Sequence, residues 1–322
     1  MIRFLYFTDT HIRATNPVSR LDDYCLSLQN KIAEINSIGN KFNVDFYVHG
    51  GDLFDRPDIN ITTFRQFSKL LSNFKKPIFY VPGNHDIYGY NLDSINRTLI
   101  SCLDDVGILT IMFGKYPIYF SKDNISIELW AAPYTYELDT DNDRKNYKII
   151  NKKADFGFMF AHGMLLTKDG YEFNYTKVDD ILDTEADLTV CGHYHTGFNL
   201  ISKNGKHFIN PGSIARLSAS EDDYTRQIFA LLVEISSKSE LNIQKIKLES
   251  AKPGNEILDR NKILEKKSRD RLINSFYDFA VDDFKNTKNT ILDYIDQISE
   301  SNHYDEKVKK RAIEYLNEVS DE

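Results

Sequence analysis

Five times before residue 196, a stretch with β character stops abruptly at a side chain able to bind a metal. The fullest case is Ile78-Phe79-Tyr80-Val81-Pro82-Gly83-Asn84-His85-Asp86, an apolar run closed by Pro-Gly and followed at once by three polar residues. The others are Asp9-x-His11 after 2–7, Gly51-Asp52 after 45–49, His162-Gly163 after 156–161, and Gly192-His193-Tyr194-His195 after 188–191. A buried strand emptying into a tight loop at its carboxyl end is how open α/β folds display chemistry. Any one of these ends alone reads as an ordinary turn, since Gly, Asn and Asp serve turns for backbone reasons. Together they hold five of the eight histidines, more than packing calls for. Carboxylate, imidazole and amide oxygen in one set suit Mn²⁺, Fe²⁺ or Zn²⁺, Mn²⁺ foremost, over a soft thiolate site.

The order of elements sets the architecture. Leu21, Cys25, Leu28, Ile32 and Ile35 recur at helical steps and predict a helix near 20–38; Phe64, Phe67, Leu70 and Leu71 predict a second. With strands at 2–7, 45–49 and from 78, this is a β-α-β-α-β run, hence parallel strands with right-handed crossovers. From about 107 the texture changes to short strands at 108–112, 117–120, 125–131, 156–161, 188–191, 198–201, 206–209, 227–235 and 241–248. Several are close enough to pair as hairpins, with Lys203-Asn204-Gly205-Lys206 a turn between two of them. One half built by crossovers and one by hairpins predicts two sheets face to face: an α/β fold, a four-layer α/β/β/α sandwich with a C-terminal helical extension. The expected boundaries are 1–250 for the catalytic domain, 251–256 for a linker marked by Pro253-Gly254, and 257–322 for helices. In that tail Leu272, Phe276 and Phe279, then Ile291, Tyr294, Ile295 and Ile298, then Val308, Ala312, Leu316 and Val319, each fall on one helical face.

At 322 residues the chain can hold one large domain and a smaller one. No run approaches the ~20 apolar residues of a membrane span. Three cysteines with no metal or disulfide spacing fit a cytoplasmic protein. The net charge of −8 argues against holding nucleic acid by bulk electrostatics, though it leaves room for a local basic groove.

The ordered motifs resemble the calcineurin-like metallophosphoesterase superfamily over roughly residues 1–250. The resemblance implies that Asp9, His11, Asp52 and His195 hold one metal and Asp52, Asn84, His162 and His193 the other, with Asp52 shared. It implies a hydroxide bridging ions ~3.5–4 Å apart and attacking phosphorus in line, with His85 as proton donor to the leaving oxygen. In Gly51-Asp52-Leu53-Phe54-Asp55-Arg56, the likeness to the protein phosphatase branch would have Asp55 orient His85 and Arg56 fork onto phosphate. An ordinary turn explains that Asp-Arg-Pro equally well. His49 precedes its motif, so alternation turns it away from the site. His207 and His303 read as structural or solvated, and Asp86 as an orienting group or a cap.

Gly192-His193-x-His195 and Asn210-Pro211-Gly212-Ser213-Ile214-Ala215-Arg216, before two strands and a helical tail, are similar to the SbcD-type DNA repair exonuclease subunits of bacteria and phages. That similarity implies a DNA exo- or endonuclease whose C-terminal helices bind an SbcC-type ATPase. Arg13, Arg20, Arg56 and Arg216 would then meet backbone phosphates, and Tyr171, Phe173 and Tyr175 unstacked bases. The alternatives are a phosphatase or phosphodiesterase acting on a nucleotide or phosphoprotein, and a non-catalytic scaffold. Oligomeric state stays open, a homodimer included.

Overall fold

The computed structural model describes residues 1–140, 144–261, 273, 291–301 and 304–320. Two compact units divide the chain, Met1–Asp259 and Arg260–Glu322. In the first, β1 (Ile2–Phe7), β2 (Phe46–His49), β3 (Ile78–Tyr80) and β4 (Thr110–Ile111) lie parallel, as their crossovers require. The crossovers carry α1 (Tyr24–Phe42), α2 (Ile61–Leu71) and α3 (Leu99–Asp105). Asp23 caps α1 by accepting the Leu26 N–H at 2.9 Å, so the helix begins after Leu21, which stays exposed. The hairpin of β13 (Phe229–Ser237) and β14 (Glu240–Lys247) extends this sheet, β13 pairing antiparallel with β1.

The second sheet runs β11 (Phe198–Lys203), β12 (Lys206–Asn210), β10 (Leu188–His193), β7 (Phe156–Gly163), β6 (Ile125–Ala132), β5 (Ile118–Lys122). The expectation that hairpins build this half needs correction. Hairpins supply only its two edges: β5–β6 turns at Asp123-Asn124 and β11–β12 at Asn204-Gly205, all four at positive φ. The four inner strands pair in parallel. The physical reason is visible in β7, where all eight residues are buried, the mark of a strand covered on both faces.

Alternation along β1 and β2 sends Phe4, Tyr6, Phe46 and Val48 inward to meet Ile127, Phe158, Phe160 and Val190 of the second sheet. Phe4 stacks on Phe46 at 5.0 Å and meets Phe158 edge-on at 5.2 Å. Leu5, Phe7, Tyr47 and Tyr80 face outward onto α1, α2 and α3. Behind the second sheet the outer layer is thin. Leu138, Tyr147, Ile149, Val178 and Ile181 cover it from 3₁₀ turns at Arg144–Tyr147 and Val178–Ile181 and the loops around them.

The segment expected to be a linker belongs to the first unit. Gly254–Ile257 forms a short helix, α5, with Ile257 and Leu258 buried, and Leu258 bridges to Arg20. In the second unit, α6 (Ile291–Ser301) and α7 (Glu306–Ser320) are joined by the Lys309–Asp296 ion pair at 2.9 Å. Leu272, Phe276, Phe279 and His303 lie outside the described residues. Among the described residues no helix is long and apolar enough to cross a membrane.

Candidate metal centre

The carboxyl ends of β1, β2 and β3 in one sheet and of β7 and β10 in the other bring the polar strand ends together. Asp9, His11, Asp52 and His193 sit at positive φ, between 45° and 73°. Such backbone costs about 1–3 kcal/mol per residue and persists only where its surroundings fix it. Here they do. The loops after β1 and β2 are laced together by Asp9 N–H to Gly51 O at 3.0 Å, His11 N–H to Asp52 O at 3.0 Å and Ile12 N–H to Leu53 O at 2.8 Å.

Two clusters of Lewis-basic atoms result. In the first, His11 Nε2 lies 3.0 Å from His195 Nε2 and 3.9 Å from Asp9 Oδ1, which is 3.7 Å from His195 Nε2. In the second, His162 Nε2 lies 3.2 Å from Asp52 Oδ2 and 3.3 Å from Asn84 Oδ1, and His193 closes the group. Asp52 Oδ2 is also 3.6 Å from His11 Nε2, so one oxygen faces both clusters. The His162 Nδ1–H donates to the Gly50 carbonyl at 2.7 Å, which leaves the Nε2 lone pair aimed at Asp52 and Asn84. Lone pairs converging at these distances repel unless a cation stands among them, so the donor set fits a divalent metal in each cluster. Burial lowers the pKa of His11 well below the usual range and that of His193 to about 3, keeping both rings in the neutral, ligating form. At His162 burial pulls the pKa down, but the Asp52 and Asp9 carboxylates outweigh it and push it up to about 10. The negative field that draws a proton there draws a metal ion equally.

The calcineurin-like phosphoesterase family profile matches residues 2–197, which carry every one of these strand ends. The chain belongs to the calcineurin-like phosphoesterases. It is a metal-dependent phosphoesterase. Over 218 residues it is 23% identical to the DNA double-strand break repair protein Mre11 of Saccharolobus solfataricus, covering 66% of this chain and 54% of that protein. Over 269 residues it is 27% identical to Mre11 of Methanococcus maripaludis, covering 77% of this chain and 67% of the other. The phosphoesterase thus spans little more than half the length of the first of these relatives. GAP50, described as the anchor in the inner membrane complex of Plasmodium, shares the fold, with a TM-score of 0.51 at 15% identity over 78% of this chain and 86% of that one.

His85 stands beside the phosphoesterase's two clusters, its ring edge-on to His11 at 4.7 Å. Its backbone N–H donates to Asp52 Oδ1 at 2.8 Å, fixing the carboxylate whose other oxygen is shared. Its Nδ1–H donates to Asp55, but to the backbone carbonyl, at 2.8 Å. The Asp55 carboxylate lies instead 3.3 Å from Arg13 Nη1 and 3.7 Å from His11 Nδ1. Arg56 is exposed. Asp86 does both things expected of it, since its Oδ2 receives the N–H of Gly83 at 2.7 Å and of Asp52 at 3.0 Å, and the Tyr80 hydroxyl. His49 points away from the clusters, against Phe7 and Tyr80, and accepts the Gly51 N–H at 3.2 Å.

Two of the four arginines expected on phosphate are structural instead. Arg20 is buried with its guanidinium bidentate on Asp22, at 2.7 and 2.8 Å. Arg216 is buried and donates to the carbonyls of Lys252 and Arg226, both at 2.6 Å. They are half of a clamp that sequence reasoning missed. Four successive carbonyls, 213–216, each receive a cationic side chain: Ser213 and Ala215 from Arg226, Ile214 from Lys31 at 2.6 Å, and Arg216 from Arg20 at 3.3 Å. The amides of the same loop tie the sheets together, Ser213 N–H to His195 O at 3.0 Å, Ile214 N–H to Thr8 O at 3.1 Å and Ala215 N–H to Asp9 O at 3.3 Å. Lys31 did leave a signal, a lysine on the buried stripe of Leu28, Ile32 and Ile35. Tyr134, whose ring lies 5.6 Å from that of His193, left none.

Proposed function

We propose that this phosphoesterase is a DNA nuclease of the SbcD type working with two divalent ions, Mn²⁺ first among them. Asp9, His11, Asp52 and His195 would hold one ion and Asp52, Asn84, His162 and His193 the other. The observation that carries this reading is the position of Asp52 Oδ2, which faces His11 of one cluster and His162 of the other. When bound, the ions supply Lewis acidity toward the phosphoryl oxygens and toward water. The chain's own residues supply the rest. With Nδ1–H held by the Asp55 carbonyl, His85 carries its mobile proton on Nε2 and delivers it to the leaving oxygen. Arg13 and Arg56 meet the non-bridging oxygens of the phosphate. The choice of DNA is supported by the two relatives, both DNA repair proteins by name.

An acidic chain needs help to hold DNA, and an SbcC-type ATPase binding the C-terminal helices would provide it. A cytoplasmic setting accords with three free cysteines. The test is a gel assay of single- and double-stranded DNA with and without Mn²⁺, run beside an aryl phosphodiester. Mn²⁺-dependent cleavage of DNA is expected. Turnover of the small ester with DNA left intact would move the assignment to a phosphatase or phosphodiesterase acting on a nucleotide or phosphoprotein.

A further inference from the structure

Immediately after the strand that carries His162, the chain forms a two-stranded parallel ladder, β8 (Leu165–Leu166) with β9 (Thr176–Lys177). The loop 167–175 is pinched shut at that ladder. Its second half reads Gly170-Tyr171-Glu172-Phe173-Asn174-Tyr175, an aromatic ring at every other position after a glycine at φ 105°. The three rings pack on one another, Tyr171–Phe173 at 5.2 Å, Tyr171–Tyr175 at 5.6 Å and Phe173–Tyr175 at 6.3 Å. They do not form a buried core, because Tyr171 is 38% and Phe173 48% exposed.

The loop does not need these rings to hold its shape. Its ends are fixed by the ladder, by the Lys177–Asp169 pair at 3.1 Å and by Arg144 donating to the Tyr175 carbonyl at 3.3 Å. Large flat rings left in water on a rigid support lose hydrophobic stabilisation and carry little ordering cost when another flat apolar face covers them. Phe173 and Tyr175 also line a cavity of about 480 Å³ whose rim holds Asn174, Thr140, Asp169 and Asp180. The carboxylates disfavour a phosphate there, while Asn174 and Thr140 can pair with the edge of a neutral ring. The loop is coupled to the metal centre through Tyr171, which hydrogen-bonds to Tyr194, the residue between His193 and His195.

We propose that the 167–175 loop is a stacking platform for an unpaired nucleobase of a DNA strand whose phosphate occupies the metal centre. The inference rests on the nuclease reading above and deepens it: the substrate is presented as single strand or frayed end. Base–aromatic stacking is sequence-tolerant, and on the order of 1–3 kcal/mol per base makes roughly a tenfold or larger effect on apparent affinity.

The test uses the full chain with Mn²⁺ on a short single-stranded oligonucleotide and on bis(p-nitrophenyl) phosphate. Replacing both rings, Tyr171→Leu with Phe173→Leu, keeps apolar bulk and removes the π faces. The double variant is expected to raise KM for the oligonucleotide about tenfold or more and to leave turnover of the base-free ester unchanged. Tyr171→Phe should behave as wild type on the oligonucleotide. Equal losses on both substrates would make the loop structural and overturn the proposal, as would an unchanged KM for the oligonucleotide. If wild type turns over the ester and leaves the oligonucleotide intact, the nuclease reading itself fails. Should the double variant not fold, wild-type protein is titrated against an oligonucleotide containing 2-aminopurine. Quenched emission supports stacking, and binding seen by anisotropy without quenching overturns it.

Discussion

His85 rests on the backbone of Asp55 and not on its side chain, Nδ1 donating to the carbonyl at 2.8 Å. Substitution of Asp55 therefore leaves the proton donor in place. His85→Ala is expected to keep both metals and lose roughly 10²- to 10⁴-fold in kcat. Asp55→Ala should lose far less, through freed Arg13 and a less supported His11. Metal content measured beside kcat on an aryl phosphodiester separates the two; loss of metal in His85→Ala would make His85 a ligand, not a proton donor.

Gly51 has φ 107°, and a Cβ there would fall 2.2 Å from His162 Nδ1, the atom that holds the ring to Gly50. Gly51→Ala is expected to displace His162 and empty the cluster it shares with Asn84, reducing bound metal from two ions toward one. Gly107→Ala is the control. Its φ is 71° with nothing within 4 Å, so it should cost only backbone strain of about 1–2 kcal/mol and leave metal stoichiometry alone.

Arg226 holds two carbonyls of the 213–216 loop and pairs with Asp223 at 2.9 Å, both side chains largely buried. Arg226→Ala is expected to destabilise the fold by about 3–5 kcal/mol, seen in urea melts, by leaving Asp223 buried without its partner. Burial would raise the Asp223 pKa, but Arg226 outweighs it and holds it below the usual value. A depressed carboxylate contributes stability above its unfolded pKa of about 3.9 and loses it as pH falls through the folded value. The gap between wild type and Arg226→Ala should thus narrow below about pH 4; a gap constant across that range would place the loss elsewhere.

Truncation separates the tail from the fold. A chain ending at Asp259 keeps Ile257 and Leu258 in the first unit and is expected to hydrolyse a small ester with little change in Tm. Ending it at Asn255 removes two buried side chains, worth about 2–5 kcal/mol each as large apolar truncations, and should lower Tm sharply. Binding of an SbcC-type partner should disappear in both. If the chain ending at Asp259 fails to fold, the tail is part of the catalytic unit.

The strand-end residues were legible because chemistry repeats along the chain: Asp9, His11, Asp52, Asn84, His162, His193 and His195 all follow the same break from apolar to polar. The parallel order of β6, β7 and β10 was less legible. Short apolar runs look alike whether hairpins or crossovers join them, and only the unbroken burial of β7 distinguishes the cases. The arginines failed for another reason. Arg20 and Arg216 find their partners 196 and 36 residues away, and sequence composition cannot tell a guanidinium offered to phosphate from one spent on carbonyls. The Asp55 contact was misjudged because a backbone carbonyl leaves no trace in residue type.

The candidate ligands come from both sheets: Asp9, His11, Asp52 and Asn84 follow strands of one, and His162, His193 and His195 belong to the other. Neither sheet alone can seat an ion. Each metal would act as a rivet through the sandwich, and hydrolysis would begin only once both halves of the chain have been made and have closed on one another. A partly synthesised or half-unfolded chain would be harmless to the DNA around it, its cutting power withheld by topology and not by any inhibitor.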